Sequence, residues 1–176
     1  YLFVTDAGGL SERLQARKDS LVDRCKVAAD IINNSDEQFL VWCNLNAESE
    51  TIKKLIPGAV EIKGSDKPDV KSERMLDFSD SKIKVLITKP SIAGFGMNWQ
   101  QCSNMVFLGL SDSYESLYQA TRRCWRFGQK KDVNVHLVIS QAEGAILKNV
   151  QRKDKESNQL FDRVRPYLLK KDFDMN

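Results

Sequence analysis

A chain of 176 residues, of which 41% are hydrophobic and 29% charged, has the length and composition of one compact globular domain. That composition excludes a disordered or collagen-like chain, and no apolar run approaches the roughly 20 residues that a membrane-spanning helix needs. The net charge of +3 is too small to predict nucleic-acid binding by itself. Four scattered cysteines and a single histidine exclude a zinc site with clustered ligands and predict reduced thiols in a soluble, intracellular protein.

Short apolar runs alternate with helical patterns along the chain, after a first helix predicted at 11–34. The apolar runs predict five strands, at 39–43, 59–62, 85–88, 105–108 and 133–139. The remaining periodic segments predict helices at 47–55, 69–78, 112–128 and 141–160. A glycine-bearing loop is predicted at 90–98, and Asp112 is predicted to cap the helix that follows it.

Strands separated by helices imply crossover connections and a mainly parallel sheet with helices on both faces, which is an α/β fold. We expect a helical lead-in at 1–37 that packs on the domain, an α/β domain at 38–165 and a polar tail at 166–176. Functional groups in such sheets gather at the carboxyl ends of the strands. That rule directs attention to Asn44, to the loop at 90–98 and to the residues beside them.

The segment 119–129 carries a glutamine and two arginines at offsets of zero, four and seven. In a helix these offsets place Gln119, Arg123 and Arg126 on one face. Two neighbouring guanidinium groups repel each other unless an anion lies between them, and their planar shape matches phosphate oxygens. The spacing is therefore consistent with a phosphate site, and equally with a surface helix whose arginines are solvated or paired with acids.

The loop after the third predicted strand offers a second set of anion-binding groups. Thr88 supplies a hydroxyl, Lys89 an ammonium group, and Gly94 and Gly96 exposed backbone N–H groups. On these residues alone a tight turn without a ligand is the favoured interpretation.

Three segments resemble motifs of superfamily-two helicases. Segment 119–129 is similar to motif six, Gln-x-x-x-Arg-x-x-Arg, in its Swi/Snf form Gln-Ala-x-Asp-Arg-x-His-Arg-Ile-Gly-Gln. Segment 88–98 resembles motif five, Thr-Lys-Ala-Gly-Gly-Leu-Gly-Leu-Asn, with two additional residues, and 39–44 resembles the motif-four strand. Within motif six Phe127 replaces the usual Ile, and two positions depart from the pattern: Arg122 stands for Asp or Gly, and Trp125 for His or Gly.

The resemblance implies a RecA-like three-layer αβα sandwich that forms the second motor domain of an ATP-dependent helicase or DNA translocase. It implies that Arg126 is the arginine finger at the γ-phosphate, that Arg123 is the second phosphate-binding arginine, and that Gln119 organises the cleft. By the same resemblance, Gly94, Gly96 and Asn98 lie near the nucleotide.

The resemblance also implies contacts with the nucleic-acid backbone, with double-stranded DNA favoured. The residues that match these positions are Asn44, Gly64, Ser65, Thr88 and Lys89.

Because the sequence lacks Gly-x-x-x-x-Gly-Lys-[Ser/Thr] and Asp-Glu-x-His, ATP and Mg²⁺ would be held mainly by an N-terminal RecA-like domain of the same protein. We therefore expect this chain to be inactive alone. Because the sequence has no long apolar run, no membrane partner is expected. The cytoplasm of a bacterium or phage-infected cell is the expected location, or the nucleus for a eukaryotic source. A non-catalytic RecA-like module that binds nucleic acid or protein is the alternative function.

Overall fold

A computed structural model describes residues 10–93, 97–111, 113–140 and 143–171. Within these residues the strands are β1 (Phe39–Cys43), β2 (Val60–Glu61), β3 (Val85–Thr88), β4 (Asn104–Leu108) and β5 (Asn134–Val138). The helices are α1 (Leu10–Asp19), α2 (Leu21–Asn33), α3 (Asn46–Leu55), α4 (Pro68–Ser79), α5 (Pro90–Ala93), α6 (Tyr114–Thr121) and α7 (Gly144–Lys171).

All five strands are parallel and lie in the order β2-β3-β1-β4-β5. In the central register Val41 pairs with Ile87 on one side and with Val106 on the other. Every residue of β1, β3 and β4 is buried, as expected for strands that are covered on both faces. The predicted α/β fold with a parallel sheet and flanking helices is confirmed.

Two apolar cores lie on opposite faces of the sheet. One face packs against α2 and α3 through residues such as Cys25, Ala28 and Ile52. The other face carries Trp42 and packs against α4 and α6. The four cysteines are free and buried. Helix α2 contributes directly to one core, so this part of the predicted lead-in packs against the sheet.

Several element boundaries differ from the sequence expectation. The first helical stretch is divided at Ser20, whose hydroxyl donates to the Ala16 carbonyl at 2.8 Å. A one-turn helix, α5, occupies the start of the predicted glycine loop. Helix α7 continues to Lys171, so the first part of the predicted polar tail is helical. Good helix formers and pairs such as Arg152–Glu156, at 2.6 Å, sustain α7 beyond its buried start.

Within the described ranges, no helix is both long and apolar enough to cross a membrane. The same ranges contain no group of three His, Cys, Asp or Glu side chains that could hold a metal ion.

Candidate nucleotide and nucleic-acid interface

The arginines follow α6 rather than lying on it, which corrects the prediction of one helix over 112–128. Ser113 is the N-cap and accepts the Ser116 N–H at 3.1 Å, and Asp112 lies outside the described residues. The helix ends at Thr121 and residues 122–128 form consecutive turns, which we call the arginine segment. Gln119, Arg123 and Arg126 therefore do not share one helical face.

The helix ends at Thr121, and a residue from another part of the chain binds a backbone carbonyl that a longer helix would use. In a continued helix the Arg123 carbonyl would accept the Phe127 N–H, but here it accepts the Trp99 N–H at 2.8 Å. Trp99 belongs to residues 97–102, which we call the linking segment because they lead to the amino end of β4. Tight turns follow, and Gly128 closes the segment with a φ of +94°.

The two guanidinium groups nevertheless meet at one atom of the linking segment. Arg123 Nη1 donates to the Met97 carbonyl oxygen at 3.2 Å, and Arg126 Nη1 lies 3.5 Å from the same oxygen. Arg123 Nε also donates to the Gln119 carbonyl at 3.2 Å. Arg123 is buried, whereas Arg126 is exposed. The turn geometry thus brings together the arginines that helical spacing was expected to align.

Neither guanidinium forms an ion pair with a carboxylate among the residues that the structure describes. Burial, and then the positive charge of Arg126, lower the pKa of Arg123. Because arginine stays protonated in proteins, the two positive charges remain and repel each other. An anion placed between them would relieve that repulsion.

Other buried arginines of the described chain are neutralised. Arg17 pairs with Glu143 at 2.5 Å and Arg24 pairs with Glu48 at 2.9 Å. The Arg17 and Arg24 side chains are 11% and 4% exposed, which resembles the 8% exposure of Arg123. Arg123 differs from both, since its hydrogen-bond partners among the described residues are all carbonyl oxygens. This is unusual because a buried charge ordinarily requires an opposite charge beside it.

The remaining nucleotide-site candidates are placed as follows. Gln119 is half-buried on α6, and its backbone carbonyl supports Arg123. Asn98 is exposed, and its Oδ1 accepts the Gln100 N–H at 3.3 Å, in the linking segment beside Met97. Gly94 and Gly96 lie outside the described residues.

The nucleic-acid candidates lie at the carboxyl ends of the neighbouring strands β2, β3 and β1. Gly64 and Ser65 are exposed after β2, and Thr88 ends β3. The Thr88 side chain is buried, and its hydroxyl donates to the Ile62 carbonyl at 3.4 Å, so in this conformation it does not face a ligand. Asn44, just after β1, uses its amide on the chain's own carbonyls, including that of Gly109 at 3.3 Å.

Lys89 is half-buried beside this edge. Its Nζ donates to Asn46 Oδ1 at 2.7 Å, and Asn46 is a neutral partner. The lysine charge is therefore held in place without being neutralised by that contact. The structure thus joins the nucleic-acid candidates along one edge, whereas the arginines lie beside the linking segment.

The tryptophans that flank the motifs have different environments. Trp99 is fully buried and meets Phe78 edge-on, with ring centroids 5.3 Å apart, so it is a core residue. Trp125 is 52% exposed, and the Arg122 guanidinium carbon lies 5.2 Å from its ring centroid. Both departures from the family pattern therefore contact each other. They line a groove of about 820 Å³ between α6, β5 and α7, together with Tyr118, Leu117 and Val135.

Sequence reasoning missed a buried polar cluster formed by Arg17, Gly109, Leu110 and Glu143. Glu143 Oε1 accepts from the Arg17 guanidinium and from the Leu110 N–H, the latter at 2.9 Å, and Arg17 also donates to the Leu110 carbonyl. Burial would raise the pKa of Glu143, but hydrogen bonds from the Ser140 and Leu110 N–H groups and the nearby Arg17 charge lower it overall. The two charged residues are 126 positions apart, so no local pattern signals their contact.

Comparison with known proteins identifies the family of the chain. The model of the helicase conserved C-terminal domain matches residues 23–128, which is more than half of the chain. The TATA-binding protein-associated factor mot1 of Aspergillus fumigatus is 28% identical over 159 residues, covering 80% of this chain and 8% of that protein. MOT1 of Saccharomyces cerevisiae is 27% identical over 115 residues, covering 61% of this chain and 6% of that protein.

Solved structures show the same fold. The C-terminal part of the Fun30 ATPase domain superposes with a TM-score of 0.62 at 22% identity, covering 76% of this chain and 44% of that one. The C-terminal domain of the DEAD-box protein Dbp5 gives a TM-score of 0.64 at 17% identity, covering 76% and 79%. The predicted RecA-like fold is therefore confirmed.

This chain spans less than a tenth of the length of the curated relatives named above. Those relatives are fungal proteins, so they do not support the expected bacterial or phage source. The family match covers α2 through the arginine segment, which includes both groups of candidate residues. The chain belongs to the family of helicase conserved C-terminal domains, as the resemblance of its motifs to superfamily-two helicases implied.

Proposed function

We propose that this chain is the second motor domain of an ATP-dependent, Swi/Snf-type DNA translocase, and that Arg126 is its arginine finger. The observation that carries the proposal is the pair of guanidiniums held on the Met97 carbonyl, with no ion pair to a carboxylate among the described residues. Their charge is left for a phosphate that comes from outside the domain.

The division of roles follows from exposure. Arg126 is exposed and donates only at the distance limit, so it can turn toward a triphosphate held by another domain. Arg123 is buried, and its Nε and Nη1 have shorter bonds to backbone carbonyls, so it holds a fixed positive charge behind the finger. ATP and Mg²⁺ would be bound mainly by the N-terminal RecA-like domain. In phosphoryl transfer an arginine finger accelerates the reaction by about 10³ to 10⁵.

In this proposal, DNA binds along the carboxyl edge of β2, β3 and β1. Gly64 and Ser65 offer exposed backbone groups, and Lys89 offers a charge whose partner is only an amide. Contacts with the phosphate backbone carry little sequence preference and depend strongly on salt. Because the curated relatives are fungal, the nucleus replaces the cytoplasm as the location we propose.

The test is Arg126→Ala in the full-length protein that contains this domain. We expect DNA-stimulated ATP hydrolysis to fall by about 10³-fold or more, with ATP affinity changed by less than about threefold, since the finger acts on the transition state. Arg152→Ala is the matched control, because Arg152 is an exposed arginine of α7 paired with Glu156 at 2.6 Å. Retained hydrolysis by Arg126→Ala would contradict the finger assignment and favour the alternative of a non-catalytic binding module.

The isolated chain gives a second test. Without the domain that binds the phosphates and Mg²⁺, we expect its ATP hydrolysis to stay at the buffer rate. Turnover that disappears on Arg126→Ala in the isolated chain would show that a second motor domain is not required.

A further inference from the structure

Gln129 follows the arginine segment, and its side-chain amide ties that segment to the linking segment. Its Nε2 lies 2.7 Å from the Gln100 carbonyl, 3.2 Å from the Cys102 carbonyl and 3.3 Å from the Cys124 carbonyl. Its Oε1 accepts the Lys131 N–H at 2.9 Å. The two hydrogens of the Gln129 amide nitrogen are thus shared among three carbonyl oxygens. The amide can adopt only one orientation, because its nitrogen faces acceptors and its oxygen faces a donor.

The turn before Gln129 has the backbone that this arrangement needs. Gly128 has a φ of +94°, in the left-handed region that glycine adopts without strain. A Cβ at position 128 would lie 3.0 Å from Gln100 Oε1. The glycine therefore lets the chain reverse close to Gln100 and direct the following amide back toward the linking segment.

The two segments are joined at both ends. At one end the Met97 carbonyl faces the guanidiniums of Arg123 and Arg126, and the Trp99 N–H donates to the Arg123 carbonyl at 2.8 Å. At the other end the Gln129 amide binds carbonyls of both segments. Loss of the amide would free the second end and allow the arginines to move with their backbone.

We propose that Gln129 is a positioning residue for ATP hydrolysis, which sets the location of Arg123 and Arg126 through the linking segment. This inference rests on the proposed function of Arg126. Gln129 matches the last glutamine of motif six, a position to which sequence analysis assigned no role. A displacement of about 1 Å in a catalytic group can cost about 100-fold in rate, so a residue that does not contact the nucleotide can control turnover.

The test is Gln129→Met in the full-length protein, which keeps the length of the side chain and removes its hydrogen bonds. We expect kcat for ATP to fall by about 10- to 100-fold and KM to change by less than about threefold. Gln101→Met is the matched control: Gln101 Nε2 donates to the Phe78 carbonyl at 2.9 Å from the same linking segment, and its side chain has no hydrogen bond to the arginine segment among the described residues. Gln129→Asn supplies the same measurement if Gln129→Met does not fold.

A double-mutant comparison separates positioning from general stability. On an Arg126→Ala background, Gln129→Met should lower kcat by a smaller factor than it does in the otherwise wild-type protein, because the contribution of Arg126 is already absent. Amide hydrogen exchange should be faster at Trp99 in Gln129→Met, while the central strand β1 keeps its protection.

The outcomes are distinguishable. If Arg126→Ala abolishes hydrolysis and Gln129→Met keeps kcat within about twofold of the wild type, the positioning role is overturned and the finger assignment stands. An equal kcat loss in Gln129→Met and Gln101→Met also overturns it. If Arg126→Ala leaves hydrolysis intact, the proposed function and this inference are both overturned.

Discussion

Two arginines of this domain are similarly buried but have different partners. Arg17 at the carboxyl edge of β4 meets the Glu143 carboxylate, whereas Arg123 beside the linking segment meets only carbonyl oxygens among the described residues. A buried charge is costly to leave without an opposite charge. We therefore expect the Arg17 cluster to stabilise the fold, whereas in our proposal the positive charge of the arginine segment is the one that binds a phosphate.

The largest expected effect comes from breaking the neutralised pair. Glu143→Ala leaves the Arg17 charge without its carboxylate in a nearly buried site, so we expect the free energy of unfolding to fall by about 3–5 kcal/mol, measured by urea denaturation. The control is Glu156→Ala, which removes an exposed carboxylate 2.6 Å from Arg152 and should cost about 0.5 kcal/mol or less. Similar losses for the two variants would contradict the structural role of the Arg17 cluster.

A smaller loss is expected from crowding the same cluster. Gly109 has a φ of +79°, and a Cβ there would lie 2.8 Å from Arg17 Nη2 and 2.9 Å from Glu143 Oε1. Gly109→Ala should therefore lower the free energy of unfolding by about 2–3 kcal/mol through backbone strain and displacement of the pair. Gly58→Ala, at a φ of +75° with nothing within 4 Å, should show the strain alone, at about 1 kcal/mol.

Acid should weaken the same cluster. The pKa of the Glu143 carboxyl is lower in the folded chain than in the unfolded chain. Its ionised form therefore stabilises the fold fully at any pH above the pKa that Glu143 has in the unfolded chain. That contribution is lost as the pH falls from the ordinary glutamate range through the lowered value. Urea titrations between pH 7 and pH 3 should show a steeper loss for the wild type than for Glu143→Gln. Parallel curves for the two proteins would contradict the linkage.

The smallest effect is expected at the proposed DNA edge. Lys89→Ala in the full-length protein should weaken DNA binding several-fold and reduce the slope of log K against log salt by about one, if Lys89 neutralises one phosphate. Lys131→Ala is the control, because the Lys131 ammonium is 3.0 Å from Glu37, away from the carboxyl ends of the strands. An unchanged salt slope for Lys89→Ala would remove Lys89 from the DNA contacts.

The strands were predictable because their signal is local. An uninterrupted apolar run such as 39–43 is compatible with a strand buried on both faces, whatever lies elsewhere in the chain. Helix ends were less predictable, because they depend on which partner takes each backbone group. The Arg123 carbonyl is taken by Trp99, 24 residues earlier in the chain, and no spacing within 112–128 could reveal that contact.

The sequence by itself determined the parallel α/β fold and identified two arginines as candidate phosphate-binding residues, since periodicity and residue chemistry are properties of short segments. Only the tertiary structure decided how those arginines converge, because a carbonyl of the linking segment, rather than a helical face, brings them together. The tertiary structure also decided which buried arginine is neutralised. Glu143 reaches Arg17 only because the fold brings together residues that are 126 positions apart, and electrostatic energy depends on distance in space.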